Sequence, residues 1–392
     1  MQRENWLLPE GIDEVLPPQA AVVEQLRRNL LDLYARWGYE LVFPPFVEYL
    51  ESLLINTGGD LDLKTFKVTD QLSGRTLGMR ADITTQAARI DAHQLRRNGV
   101  TRLCYAGTVL HTRGDGFAGS RAPLQVGAEL YGHSGVESDL EIICLMMESL
   151  QLSGLTDIHI DLGHVGIFRG LVRQSQLGEH SEMKLFNAIQ RKAISEIEDL
   201  VASLNIGEAE TRMFIALPEL CGDDALDRAK ELFVDANAEV KSALTDLMRL
   251  ADLVRQRMPE LPLHFDLAEL RGYHYHTGVV FAAFVPGLGQ EIARGGRYDD
   301  IGEAFGRARP ACGFSSDLKL LMRLGQDGVD LAKDGIFAPW SDDPEQHQAI
   351  ERLRSEGATV IMGLPGQDES ASEMGCDSVF VRQDGKWLVT SA

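Results

Sequence analysis

From about Leu171 to Met258 the chain reads as almost unbroken helix with few aromatics, and β-like runs stand on both sides of it. A block of this kind between strand-rich stretches reads as a helical insertion about 171–258. Ahead of it, residues 1–18 hold Pro9, Gly11, Pro17 and Pro18 and form an irregular arm. Val22, Val23, Leu26, Leu30, Leu33 and Tyr34 then recur at three- and four-residue intervals, which predicts an amphipathic helix from Gln19 to Trp37. Gly38 ends it, and Tyr39 to Pro45 runs on as a strand stopped by prolines. Residues 66–70 and 75–80 read as a hairpin about Ser73-Gly74, Thr84 to Gln94 as helix, and Leu103–His111 and Pro123–Tyr131 as two strands. Ser138 to Leu150 reads as a helix with Ser138 as N-cap and Glu141 completing a capping box. Asp157–Asp161 alternates as a strand. Beyond the insertion, strand signals return at Leu263–Leu267, Asp317–Leu324 is a helix, and the tail after Gly325 reads as a small α/β unit. Its parts are strand Gly335–Ala338, helix Pro344–Glu356, strand Thr359–Met362 and a hairpin about Asp384-Gly385.

Charge and cysteine usage narrow the function. A formal charge of -21 argues against extended contact with a nucleic-acid backbone, although a local basic patch around Arg169 and Arg173 remains open. Cys104, Cys144, Cys221, Cys312 and Cys376 contain no Cys-x-x-Cys pair, which disfavours a zinc site or disulfide scaffold and fits a reducing cytosol. No apolar run approaches a membrane span, so a cytoplasmic protein with no metal and no cofactor is expected.

The chemistry concentrates in Leu270-Arg271-Gly272-Tyr273-His274-Tyr275-His276-Thr277-Gly278, followed by a β-rich run and then Gly295-Gly296-Arg297-Tyr298-Asp299. In a strand, Tyr273 and Tyr275 would share one face and His274 and His276 the other. The glycine pair permits close backbone approach or positive φ. An arginine among rings suits a planar ligand bearing a carboxylate, because guanidinium grips carboxylate through a two-pronged fork. The plain alternative is a β-ribbon whose aromatics only pack across strands.

Five short motifs in order resemble the histidyl-tRNA synthetase family of class II synthetases, over roughly residues 5–325. Gly38 to Pro45 is similar to motif 1, a dimer-interface element. Leu77-Gly78-Met79-Arg80-Ala81-Asp82-Ile83-Thr84 is similar to the loop that holds the substrate's α-amino group, and Gln125-Val126-Gly127-Ala128-Glu129 to the end of motif 2. Residues 270–278 and 295–299 resemble the histidine-specific segment and its glycine-rich partner. The resemblance implies an α+β fold, an antiparallel sheet flanked by helices, in residues 1–326, with a separate C-terminal α/β domain in 327–392. It implies a histidine site in which Asp82, Thr84, Gln125 and Glu129 meet the amino acid, Arg271 its carboxylate, and Tyr275, His276 and Tyr298 its ring.

The departures from the family bear on activity. Leu110-His111-Thr112-Arg113 stands where the enzymes carry Phe-Arg-x-Glu, Gly119 where they place an arginine, and Asp317-Leu318-Lys319-Leu320 where they read Gly-Leu-Glu-Arg. Losing two or three charge-assisted clamps of about 1.5–3 kcal/mol each removes useful ATP binding. His111 then reads as a surface residue of an abandoned nucleotide site, and His164 as structural. The tail is short for an anticodon-binding domain. This combination resembles the regulatory subunits of ATP phosphoribosyltransferase, synthetase paralogues in histidine biosynthesis. It implies a non-catalytic chain that binds a short-form catalytic subunit and takes L-histidine as its effector. The assembly implied is a homodimer within a hetero-oligomer, a hetero-octamer by resemblance, with no tRNA and no membrane. The alternatives are an active histidyl-tRNA synthetase and another synthetase-like amino-acid sensor.

Overall fold

A computed structural model describes residues 6–54, 58–114, 119–273, 275–325, 335–367 and 369–392. The chain divides into two compact units, Met1–Gly328 and Val329–Ala392. The first is built on an eight-stranded sheet whose middle is antiparallel. In spatial order its strands are Glu40–Leu41, Thr101–Thr108, Leu124–Tyr131, Ala311–Asp317, Ala293–Arg297, Val279–Phe284, His159–His164 and Leu263–Phe265. Only the two edge pairs run parallel. The α+β architecture expected from the sequence is therefore present, and strands from both sides of the helical block share the sheet.

Period-two patterning assigns the faces. Val126, Ala128 and Leu130 point into the main core with Leu30, Tyr34, Ile142, Ile143 and Met146 of two covering helices, Gln19–Arg36 and Val136–Leu152. Gln125, Gly127, Glu129 and Tyr131 therefore point to the other face. The helical block runs through helices Val165–Gln174, Glu179–Gln190, Ile194–Ser203, Glu208–Ala216, Ala225–Leu232 and Ala238–Arg257. In the last of these Val240, Ala243, Leu244, Leu247, Leu250, Ala251 and Val254 form one buried stripe. Asn237 starts it by accepting a hydrogen bond from Val240 N at 2.9 Å.

Several boundaries differ from the sequence reading. The strand expected over Tyr39–Pro45 is only Glu40–Leu41, because the prolines leave few backbone donors for a neighbour. Ser138 is not an N-cap. Gly135 occupies that position, and the Ser138 hydroxyl bonds back to Gly135 O and receives an Arg297 N–H. The helix expected from Thr84 to Gln94 is α-helical to Arg89 and then widens to a π-helix over Ile90–Leu95. That turn presents the buried Asp91 to Arg309, which donates to both its oxygens at 2.9 and 3.1 Å. The hairpin about Ser73-Gly74 is present as Lys67–Thr69 paired with Thr76–Met79.

The second unit has a four-stranded sheet in the order Thr359–Met362, Gly335–Ala338, Ser378–Gln383, Lys386–Ser391. Helix Pro344–Ser355 is capped by Asp343, whose side chain accepts from Glu345 N at 2.9 Å. Asp384 and Gly385 both have positive φ, +48° and +79°, as a two-residue hairpin turn with right-handed strand twist requires.

Candidate functional site

On the face of the sheet away from the main core, a cleft of about 650 Å³ opens over the central strands. Its floor follows from register. Glu129 lies opposite Gly313, and Gly313 lies opposite Gly296 on the next strand. A Cβ at Gly313 would sit 1.6 Å from a Glu129 carboxylate oxygen and 2.6 Å from the Tyr298 hydroxyl. Glycine here leaves the space in which that carboxylate lies.

Glu129 is 1% exposed, and among the described residues no lysine or arginine pairs with it. Its donors are hydroxyls. Tyr105 donates at 2.8 Å and Tyr298 donates to the other oxygen. Because Tyr105 spends its proton on Glu129, the Thr84 hydroxyl is the donor in the 3.2 Å contact with Tyr105. Burial raises the Glu129 pKa well above the ordinary carboxylate value, and the nearby Asp82 charge adds to the rise. The Tyr131 and Tyr275 hydroxyls are buried and have no hydrogen-bond partner among the described residues. The site is thus a desolvated acid surrounded by tyrosines, built to receive a group that carries positive charge or N–H donors.

Asp82 stands at one side of this cradle, where one of its oxygens accepts from Thr84 N at 2.6 Å. Thr84 is accordingly the first helical residue and not its own cap. Gln125 is brought to the neighbourhood but not into the lining. Its side-chain oxygen accepts from Ile83 N at 3.0 Å and so fixes the Asp82 loop. Seven of the eight expected residues, Asp82, Thr84, Glu129, Arg271, Tyr275, His276 and Tyr298, line the one cleft.

The stretch that carries most of the rings is not a strand. Tyr273 N bonds to Leu270 O, and both Tyr275 N and His276 N bond to Gly272 O, so the described residues of this stretch bond back on themselves and not to a neighbouring strand, with Gly272 at φ +69°. The expected alternation of faces therefore fails. Tyr273 packs on Phe168 and Phe186 at the cleft wall, whereas Tyr275 stacks on Tyr298 at 5.1 Å and meets His276 edge-on. His274 lies outside the described residues. Arg271 is half exposed and is already held by Glu269 at 3.1 Å and Glu291 at 2.8 Å. The glycine pair does not take positive φ. Gly296 admits the His276 ring and Gly295 the Phe281 ring.

His276 has a fixed tautomer. Its Nδ1 lies 3.2 Å from Arg297 O, a carbonyl that can only accept, so Nδ1 carries the proton. Burial pushes its pKa down to about 4, so the ring is neutral near pH 7. Nε2 is left as an acceptor on a ring that lines the cleft. His276 therefore asks a ligand for a donor, as Glu129 does once it is ionised.

The region of the motif 2 loop and the last helix is arranged differently from the sequence reading. His111 is buried, not superficial, because its Nε2 donates to Ala81 O at 2.9 Å and its strand end folds over that segment. Part of the glycine-rich loop after it lies outside the described residues. Arg121 donates to Glu10 O at 2.9 Å and Lys319 reaches Asp13 at 3.6 Å, so both cations hold the N-terminal arm. Leu320 packs against the core, and Asp317 caps its own helix. His164 is structural as expected, its Nδ1 accepting from Gly166 N at 3.1 Å. Among the described residues no cluster of three His, Cys, Asp or Glu could hold a metal, and no helix is long and apolar enough to cross a membrane.

Three contributors escaped the sequence reading. Tyr105 donates to Glu129, Phe186 joins the cleft wall from the helical block, and Arg169 braces the 270–276 turns from behind. Only Tyr105 had a local signal, as an inward position of a predicted strand.

Comparison with known proteins identifies the family and the fold. The histidyl-tRNA synthetase family profile matches residues 11–321, and that of the ATP phosphoribosyltransferase subunit HisZ C-terminal domain matches residues 333–390. The ATP phosphoribosyltransferase regulatory subunit of Stutzerimonas stutzeri is 57% identical over 388 residues, 98% of each chain. That of Alkalilimnicola ehrlichii is 56% identical, covering 98% of this chain and 97% of the relative. A crystal structure described as an ATP phosphoribosyltransferase regulatory subunit/histidyl-tRNA synthetase from Bacillus halodurans superposes with a TM-score of 0.83 at 27% identity, covering 96% of this chain and 97% of that one. Histidyl-tRNA synthetase from Nostoc shares the fold at 18% identity, with a TM-score of 0.76 and coverage of 99% and 97%. With a class II core and relatives of one name matched along 97–98% of their length, the chain belongs to the family of ATP phosphoribosyltransferase regulatory subunits.

Proposed function

We propose that this protein is the regulatory partner of a short-form ATP phosphoribosyltransferase catalytic subunit, in the first step of histidine biosynthesis, and performs no chemistry itself. Free L-histidine occupies the cleft as the feedback effector. Asp82, seated by Gln125, takes the α-ammonium group with Thr84 beside it. Arg271 takes the carboxylate. Glu129, Tyr275, His276 and Tyr298 surround the imidazole, which as the imidazolium has one N–H for the acceptor at Glu129 and one for that at His276.

The observation that carries this reading is a contrast between two regions. The amino-acid cradle is intact, with its buried carboxylate unpaired by any cation among the described residues. At two of the positions where the enzymes carry nucleotide-binding arginines, His111 and Leu320 are engaged with the protein's own backbone and core, and the neighbouring cations Arg121 and Lys319 hold the N-terminal arm. An adenylate-forming enzyme needs fixed cations at the phosphates. The protein acts as a homodimer within a larger hetero-oligomer, and the exposed Leu41, Phe43, Phe46 and Tyr49 form an apolar strip suited to the dimer contact. It does not bind tRNA.

The test combines three measurements on the purified chain. Calorimetry should show histidine binding, and pyrophosphate exchange should show no histidine-dependent turnover. The catalytic subunit should gain activity on addition of the chain and lose it again as histidine is raised. Histidine-dependent exchange at enzymatic rates would overturn the reading in favour of a synthetase.

A further inference from the structure

The turns that present Arg271, Tyr275 and His276 to the cleft are gripped from behind by the helical block. One guanidinium nitrogen of Arg169, on helix Val165–Gln174, donates to both Tyr273 O and His276 O at 2.9 Å. The same guanidinium lies 5.1 Å from the centre of the Tyr273 ring. Tyr273 is 4% exposed, and its hydroxyl donates to Glu182 on helix Glu179–Gln190 at 2.8 Å. Its ring also contacts Phe186 of that helix. Phe186, Met183, Asn187 and Gln190 of the same helix line the cleft.

We propose that Arg169 and Tyr273 are positioning residues that couple the occupancy of the cleft to helix Glu179–Gln190, making the helical block the element that registers the effector. The inference rests on histidine occupying the cleft. Gly272 turns the chain at positive φ, and two carbonyls bonded to one nitrogen fix the spacing between Tyr273 and His276. A ligand that contacts both the turns and the wall of Glu179–Gln190 closes a loop of contacts through Arg169, Tyr273 and Glu182. Filling the cleft then favours one arrangement of that helix, as differential affinity for two states requires. The Arg169 cation is thereby absorbed into the site, and its neighbour Arg173 pairs with Glu239 at 2.8 Å.

The experiment is paired, on the full chain: calorimetric histidine binding, and hydrogen exchange over residues 179–190 with and without histidine. In the unmodified protein, histidine should slow exchange in 179–190 about fivefold or more. Arg169→Ala should weaken histidine binding by about tenfold or more, and Arg169→Lys, which keeps donors but loses the planar stack, should recover part of it. Tyr273→Phe removes one oxygen atom, so it keeps the test alive if Arg169→Ala fails to fold. It should bind histidine within about threefold of the unmodified protein, yet lose most of the added protection in 179–190. Normal binding by Arg169→Ala, or full protection in Tyr273→Phe, overturns the coupling while leaving histidine in the cleft. Failure of the unmodified chain to bind histidine overturns the reading of the cleft and this inference with it.

Discussion

Replacing Glu129 by glutamine should make the empty protein more stable at alkaline pH and a poorer receptor at every pH. The carboxylate is 1% exposed with only tyrosine hydroxyls as donors, and burial raises its pKa well above the ordinary value. The folded state therefore holds a proton that the unfolded chain releases once pH exceeds about 4.3. Its contribution to stability is complete below that unfolded value. It is lost progressively as pH rises toward and through the folded pKa, at up to about 1.4 kcal/mol per pH unit. Glutamine has nearly the same shape and does not titrate, so that slope disappears. Binding moves the other way. A carboxylate that accepts from a cationic or N–H donor is worth about 1.5–3 kcal/mol more than a lost partner. That predicts roughly a 10- to 150-fold weaker histidine complex. The assay is thermal unfolding of both proteins between about pH 6 and 9 without ligand, beside calorimetric titration with histidine. Parallel melting curves across pH would mean that Glu129 is already ionised in the empty cleft. Unchanged affinity in the variant would mean that the cradle does not hold the effector.

The other predictions address His276, the buried ion pair and the acid limit. Since Nε2 of His276 is left as an acceptor, His276→Phe should weaken histidine binding several-fold while His276→Gln, which keeps an acceptor, should weaken it less; equal losses in calorimetry would refute the role of that nitrogen. Arg309→Met strands the 2%-exposed Asp91 without its cation and should cost about 3–5 kcal/mol in urea unfolding; a loss under 1 kcal/mol would show that the pair is solvated. Burial holds the His164 pKa down to about 4, so the stability it contributes is complete above its unfolded value near 6.5 and is lost as pH falls toward 4. The amount at stake is roughly 3 kcal/mol, and His164→Asn, which can still cap Gly166 N, should flatten the unfolding profile across that window.

Much of the cleft was legible because its residues carry local signals. Asp82 and Thr84 mark a helix start, Glu129 stands on a period-two strand, and Arg271 and Tyr298 flank glycines that read as close approaches. The turns at 270–276 were misread as strand for a physical reason. Aromatic and imidazole rings favour a pleated surface, but Gly272 at φ +69° reverses the chain there. What stabilises the reversal is Arg169, about a hundred residues earlier in sequence, and no local pattern announces a brace from that distance. His111 was misplaced in the same way, because its neighbours in sequence look like a surface loop while its hydrogen-bond partner, Ala81, belongs to another segment.

Tyr105 shows how far a correct strand assignment goes and where it stops. Alternation places it inward, which is true of many tyrosines in sheets and says nothing about chemistry. Its hydroxyl reaches Glu129 because Tyr105 pairs with Gly127, two residues before the glutamate on the neighbouring strand. Gly127 lacks the side chain that would block it, since a Cβ there would lie 2.7 Å from that hydroxyl and 2.5 Å from Phe314 O on the next strand. A slip of one residue would turn Tyr105 toward the helices of the main core and leave Glu129 with one donor fewer. The site is therefore specified by the pairing of strands 101–108 and 124–131 as much as by its residue types. Gly127→Ala should accordingly displace Tyr105 and the Phe314 backbone beside it and weaken histidine binding, and a crystal structure of that variant with both unmoved would contradict this account.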